Sequence, residues 1–118
     1  MFGFRRQTAP ALSLTDAVMR VAAGEILLID VRDHGEVAQS GMARGAVHIP
    51  LMRLPMMADP RHPDFDARLA GGKPIAVYCA SGARSGMAVN ILHKLGHAEV
   101  HNLGGLRNWI NAGGAVTG

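Results

Sequence analysis

The residue best suited to covalent chemistry is Cys79, the only cysteine in this chain of 118 residues. It follows the apolar run 75–78, so we expect it at the carboxyl end of a buried strand. Small residues let backbone N–H groups turn inward and form an anion-binding nest. Such a stretch follows the cysteine directly and ends in an arginine and a serine: Ala80, Ser81, Gly82, Ala83, Arg84 and Ser85.

This arrangement predicts an activated thiol. A helix that begins near Arg84, together with the charge of that arginine, would lower the pKa of the Cys79 thiol. The inward N–H groups would then hold an anionic leaving group or a persulfide anion. The Arg84 guanidinium can donate two parallel hydrogen bonds to an oxyanion such as thiosulfate.

Simpler interpretations stay open for each of these residues. Free cysteines are often buried and inert, so Cys79 can be a plain core residue. Arg84 can be a surface arginine that pairs with a neighbouring acid. Ser85 can serve only as a residue that begins a helix.

Composition limits the classes of partner. With 48% apolar and 18% charged residues, the chain is typical of a globular domain. A single cysteine excludes an internal disulfide. The formal net charge of +3 favours the approach of small anions. The basic residues are scattered with few aromatic residues among them, so we expect no nucleic-acid partner.

Targeting and metal signals are weak. The segment Met1–Arg6 has a basic pair but no apolar stretch after it, and no apolar run approaches the ~20 residues that a membrane span needs. We therefore expect a cytoplasmic protein with no membrane partner. His93 and His97 are four positions apart, but Gly96 should end the helix between them, so we expect no metal site and no cofactor.

Short helical and strand patterns alternate along the chain and predict an α/β domain with a mainly parallel sheet and helices on both faces. We expect one domain over residues 1–118, with a core at about 12–114. Residues 51–64 contain Pro55, Pro60 and Pro63 and are predicted to be mostly loop. We expect the ordered chain to end at Gly113–Gly114. The predicted strands are 26–29, 47–49, 75–78 and 99–103, and the predicted helices start near residues 14, 36, 65, 84 and 106.

Four stretches together resemble the rhodanese-like sulfurtransferases. Residues 79–85 resemble the active-site loop of that family. Asp30-Val31-Arg32 with Glu36 resembles its first signature. Gly45-Ala46-Val47-His48-Ile49-Pro50 resembles its Gly-Ala-x-x-Ile-Pro turn, and Leu103-Gly104-Gly105 with Trp109 resembles its closing signature. The resemblance covers nearly the whole chain, and the four stretches occur in the family's order.

The resemblance implies a three-layer fold with a mainly parallel five-stranded sheet. It also implies a two-step reaction in which Cys79 takes the outer sulfur of a donor such as thiosulfate and becomes a persulfide. A thiophilic acceptor, either cyanide or a thiol, would then remove that sulfur, and one cysteine suffices for this ping-pong scheme. The implied partners are a small anionic sulfur donor, such an acceptor and, as a further possibility, a sulfur-accepting protein.

The loop's length and its neighbours add two expectations. Cell-cycle phosphatases that share the fold have five residues between cysteine and arginine, whereas only four separate Cys79 from Arg84. The shorter loop argues against phosphatase and arsenate-reductase activity. Asp30, Arg32 and Glu36 are expected to support the loop. Alternatively, Asp30 and Arg32 have no role in the loop and only contribute to an ion pair at the strand end, for example one between Arg32 and Glu36.

Two other functions remain open from the sequence. The first is a persulfide carrier or sensor that serves a partner protein and turns over thiosulfate and cyanide poorly. The second is a regulatory scaffold without activity, which the intact Cys79, the small-residue loop and Arg84 disfavour. Steady-state turnover separates the enzyme from the carrier.

Overall fold

The structure is a computed structural model that describes residues 11–117, so the Met1–Arg6 segment lies outside the described residues. It has three layers, with helices on both faces of a central sheet. The strands are β1 (Leu27–Asp30), β2 (Met42–Ala43), β3 (Ala46–His48), β4 (Ile75–Cys79), β5 (Val100–Gly105) and β6 (Val116–Thr117). The helices are α1 (Leu14–Ala22), α2 (His34–Ser40), α3 (Leu54–Met57), α4 (Ala83–Lys94) and α5 (Leu106–Asn111).

The central sheet is parallel, with its strands in the spatial order β3, β1, β4 and β5. All five residues of β4 are buried, because helices cover the sheet on both sides. Side chains of a strand point alternately to opposite faces. Accordingly, Ile75, Val77 and Cys79 pack with residues of α3 and α4, whereas Ala76 and Tyr78 pack with α1 and α5.

The predicted helix start near residue 14 is confirmed by α1. Ser13 is the N-cap residue, and its hydroxyl oxygen accepts a hydrogen bond of 3.1 Å from the backbone N–H of Asp16. This bond satisfies one of the N–H groups that a helix leaves free in its first turn. Ala17 and Val21 then lie on the buried side of the helix and anchor it to the sheet.

The α/β fold with its mainly parallel sheet is confirmed, but the strand count differs from the expected five. Within residues 11–117 the central sheet has four strands, and β2 and β6 form a separate antiparallel pair. The backbone N–H of Ala43 donates to the hydroxyl of Tyr78 at 2.9 Å. A side chain thus takes the N–H of this short strand, and β2 pairs with β6 instead of extending the main sheet.

Two boundary predictions were wrong. The chain stays ordered past Gly113–Gly114, because the carbonyl of Ala115 accepts hydrogen bonds from the indole of Trp109 at 2.8 Å and from the backbone of Arg44 at 2.9 Å. Residues 51–64 are less irregular than expected, since 51–53 form a 3-10 turn that leads into α3. Pro55 fits the first turn of α3, where a helix needs no N–H donor.

None of the helices in residues 11–117 combines the length and apolar character that crossing a bilayer requires.

Candidate active site

Cys79 is the last residue of β4 and is fully buried. The loop after it turns at Gly82, whose φ of +104° lies in the left-handed region that favours glycine. The helix α4 begins at the next residue, so its first turn faces back toward the end of β4. The predicted strand–loop–helix arrangement around the cysteine is therefore present.

Three close hydrogen-bonding contacts of the Cys79 sulfur come from the loop and the first turn of α4. The backbone N–H of Gly82 donates to Sγ at 3.0 Å, and that of Ser85 donates at 3.4 Å. The hydroxyl oxygen of Ser85 lies 3.4 Å from the same sulfur. Donors that converge on one sulfur favour its anionic form.

These contacts change the acidity of the thiol. Burial raises the pKa of Cys79, but hydrogen bonds from the Ser85 hydroxyl and from the N–H groups of Ser85, Gly82 and Ser81 outweigh it. The resulting pKa is lowered from the ordinary value of 9.0 to about 7. Thiol and thiolate are therefore present in comparable amounts at neutral pH. The loop achieves this mostly with backbone groups, and Arg84 is not among the main causes.

The end of β5 packs directly against the backbone of the loop 80–82. Gly82 lies against Gly104, where an added Cβ would come within 3.4 Å of the Gly104 backbone. A Cβ on Gly105 would collide with the carbonyl oxygen of Ala80. Gly105 is thus required by the close approach of the two backbones, whereas Gly104 has a φ of +85°, in the left-handed region that favours glycine.

Asn102 is a site residue that the sequence reasoning missed. Its Oδ1 accepts from the Gly104 N–H at 2.8 Å, and its Nδ2 donates to the Gly82 carbonyl at 3.1 Å. Oδ1 also lies 2.6 Å from the Ser85 hydroxyl, whose one proton it accepts while Cys79 is a thiol; when Cys79 is a thiolate, that proton turns to the charged sulfur. The side chain therefore links β5, the loop and α4. One signal could have indicated it: Asn102 is the second-last residue of the predicted strand 99–103, and ligand sites of parallel sheets form at the carboxyl ends of strands.

Arg84 does not face open solvent with a free guanidinium. Its Nη1 and Nη2 donate to Glu36 Oε1 and Oε2 at 2.7 and 2.8 Å, and both side chains are about one-third exposed, at 35% and 31%. The Arg84 guanidinium, helped by the Asp33 N–H, lowers the pKa of Glu36 to about 2, and Glu36 in turn raises the pKa of Arg84. The interpretation of Arg84 as the partner of a neighbouring acid is thus confirmed in its geometry.

Glu36 is itself held by the start of α2. Its Oε1 accepts the Asp33 N–H at 3.1 Å, while the Asp33 side chain accepts the Glu36 N–H at 2.9 Å. This reciprocal pair is a capping box, which fixes the first turn of the helix. The suggested ion pair between Arg32 and Glu36 is wrong, because Glu36 pairs with Arg84.

Asp30 and Arg32 form a buried ion pair that does not contact the loop 80–85. Arg32 donates to Asp30 at 2.8 Å through Nη2, and also to Ser40 Oγ at 2.7 Å and to the Gly41 carbonyl at 2.6 Å. Tyr78 donates its hydroxyl to Asp30 Oδ2 at 2.6 Å, and burial and Asp30 raise the pKa of Tyr78. The hydrogen bonds of the pair thus reach the end of α2 and the residue before Cys79, not the loop 80–85.

A resident metal ion has no ligand set among residues 11–117, where no group of three His, Cys, Asp or Glu side chains is arranged to hold one. The chemistry available at the site is therefore that of one thiolate, a ring of backbone donors, a hydroxyl and an arginine–glutamate pair. Such a set suits nucleophilic attack on an electrophilic atom of a small ligand and stabilisation of the anion that results.

Sequence comparison gives the family. Residues 13–112 match the family described as the rhodanese-like domain, which is most of the chain. A sulfurtransferase of Allochromatium vinosum is 34% identical over 90 residues, which cover 75% of this chain and 76% of that protein.

Structural comparison gives the same fold. The human single-domain sulfurtransferase superposes with a TM-score of 0.69 at 31% identity, over 87% of this chain and 96% of that one. A Rhodopseudomonas palustris protein of unknown function, named a possible tyrosine phosphatase, superposes with a TM-score of 0.79 at 28% identity, over 88% and 81% of the two chains.

Proposed function

This chain belongs to the rhodanese-like family, which includes sulfurtransferases, and we propose that it transfers sulfur. In this proposal Cys79 carries the transferred sulfur. The observation that carries this proposal is the convergence of the Gly82 N–H, the Ser85 N–H and the Ser85 hydroxyl on the Cys79 sulfur. These contacts support a thiolate that is nucleophilic near neutral pH.

The first step loads the enzyme. The Cys79 thiolate attacks the outer sulfur of a donor such as thiosulfate, and a new S–S bond forms at Sγ. The S–S bond of the donor breaks, and its electron pair leaves with sulfite. The Cys79 persulfide keeps the negative charge, which the same loop N–H groups stabilise as hydrogen-bond donors.

The second step unloads the enzyme. A thiophilic acceptor, either cyanide or a thiol, attacks the outer sulfur of the persulfide. The S–S bond at Cys79 breaks, and its electron pair returns to Sγ as the thiolate. The substrate-binding part of the proposal comprises Ala80, Ser81, Gly82, Ala83, Arg84 and Ser85.

A persulfide carrier that serves a partner protein is the second candidate. It would use the same Cys79 loop, and its turnover of thiosulfate and cyanide would be poor. A phosphatase is not proposed, since four residues between Cys79 and Arg84 make a shorter loop than that of the phosphatases with this fold.

Steady-state kinetics test the proposal. Wild-type protein should convert thiosulfate and cyanide to sulfite and thiocyanate, and Cys79→Ser should abolish this reaction with unchanged thermal unfolding. Turnover that survives in Cys79→Ser would refute the proposal. Turnover that is slow with cyanide but fast with a protein thiol would favour the carrier. Hydrolysis of p-nitrophenyl phosphate, measured in parallel, should be absent.

A further inference from the structure

The Glu36–Arg84 pair changes what the site offers to an anion. An arginine at the edge of a backbone nest would normally attract a doubly charged ligand such as thiosulfate. Here both terminal nitrogens of Arg84 already bind carboxylate oxygens, at 2.7 and 2.8 Å. The negative charge of Glu36 offsets the positive charge of the guanidinium, so the ion pair as a whole carries no net charge.

Thiosulfate must therefore compete with an acceptor that is already in place. The capping box with Asp33 holds the Glu36 side chain at the first turn of α2, which opposes a change of rotamer that would release Arg84. The backbone donors of the loop are unaffected, since they point at the Cys79 sulfur itself. They stabilise the one negative charge of the reacting sulfur and do not require a charged group further out on the donor.

We infer that Glu36 is a specificity-determining residue that occupies Arg84 and disfavours dianionic sulfur donors relative to donors with an uncharged tail. The favoured class is an organic persulfide, R–S–SH. In that reaction the Cys79 thiolate attacks the outer sulfur and forms a new S–S bond at Sγ. The S–S bond of the donor breaks, its electron pair leaves with the thiolate RS⁻, and the transferred sulfur keeps its proton. This inference rests on the proposed function for the donor, but the charge effect itself is measurable on the thiol alone.

Glu36→Gln is the informative variant. Glutamine also satisfies the capping-box position, so α2 keeps its start. The change removes only the charge that neutralises Arg84. Glu25→Gln is the matched control, because Glu25 pairs with Arg20 at 3.3 Å. It lies just before β1, at the amino ends of the parallel strands, whereas Cys79 lies at the carboxyl end of β4. Both variants change the net charge equally.

The alkylation rates of the single cysteine by an anionic and a neutral reagent report the charge near the site. The rate ratio of iodoacetate, an anion, to iodoacetamide, its neutral analogue, is insensitive to changes in the Cys79 pKa, since both reagents need the thiolate. We expect Glu36→Gln to raise this ratio roughly two- to fivefold, the factor that corresponds to one part-exposed ion pair. The gain should shrink with added salt, and Glu25→Gln should behave as wild type.

Kinetics extend the test to donors. In Glu36→Gln the KM for thiosulfate should fall by a similar factor at nearly constant kcat, while the KM for 2-hydroxyethyl persulfide, whose tail is uncharged, stays the same. An unchanged alkylation ratio in Glu36→Gln would overturn the inference, whether or not the protein transfers sulfur. A raised ratio without sulfur transfer in any variant would uphold the role of Glu36 toward anions and overturn the proposed function.

Discussion

The Ser85 hydroxyl offers a quantitative test of how the thiol is activated. Ser85→Ala removes the hydroxyl at 3.4 Å from the Cys79 sulfur but keeps the two backbone donors of Gly82 and Ser85. Hydrogen bonds to charged groups contribute about 1.5–3 kcal/mol. The low end applies here, because the contact is long and the same hydroxyl proton has a second acceptor, Asn102 Oδ1, at 2.6 Å. We expect the pKa of Cys79 to rise by about one unit, which corresponds to about 1.4 kcal/mol.

The consequence for reactivity follows from the starting pKa of about 7. At pH 7 about half of the wild-type thiol is ionised, and a rise of about one unit would leave about a tenth. The rate of alkylation by iodoacetamide should fall roughly fivefold at pH 7 and stay unchanged at pH 10, where both proteins are thiolates. Intact mass spectrometry measures this rate directly, because the chain has one cysteine.

Ser81→Ala is the matched control in the same loop. Ser81 contributes to the Cys79 pKa only through its backbone N–H, and no hydrogen bond among the described residues joins its hydroxyl to the sulfur. The pH–rate profile of Ser81→Ala should therefore coincide with that of wild type. Equal profiles for Ser85→Ala and wild type would refute the assignment of the Ser85 hydroxyl as a donor to the thiolate.

Three further predictions address the scaffold. Tyr78→Phe leaves buried Asp30 without its 2.6 Å donor and should cost about 1–3 kcal/mol in the free energy of unfolding, read from urea titration; an unchanged midpoint would contradict this. Gly105→Ala should push the Ala80 carbonyl away and lower sulfur transfer in steady-state assays, and full activity would show that the loop yields freely. The pKa of Glu36 is depressed to about 2 from 4.5, so its stabilisation is complete above pH 4.5 and lost as pH falls toward 2. Glu36→Gln should lack this step in acid titrations of stability, and an identical acid transition in both proteins would disprove it.

The sequence was sufficient for the frame of the site. The buried run 75–78 and the glycine-rich stretch after it define a strand and a tight turn through local patterns alone, because periodicity and small side chains act over a few residues. The position of Cys79 at the end of β4 follows from them. The α/β fold with a parallel sheet follows in the same way from the alternation of helical and strand patterns.

The pairings between distant residues could not be predicted. Glu36 and Arg84 are 48 positions apart, and each has other charged residues nearer in the chain. The strands β2 and β6 have two residues each, which is too short for any periodic signal. Asn102 contacts the Ser85 hydroxyl, the Gly82 carbonyl and the Gly104 N–H. These groups come within reach of its side chain only when β5 packs against the loop. The assignment of Asp30 and Arg32 as loop supports stays a prediction, and their contacts indicate that any support passes through α2 and Tyr78.

The central claim is that Cys79 accepts and releases one sulfur atom. The intact mass of the purified protein, measured after thiosulfate and again after cyanide, tests it most directly. The account predicts a gain of one sulfur atom, about 32 Da, that cyanide removes and that Cys79→Ser never shows. A protein that gains no mass with thiosulfate or with an organic persulfide, although iodoacetamide still modifies Cys79, would contradict the account.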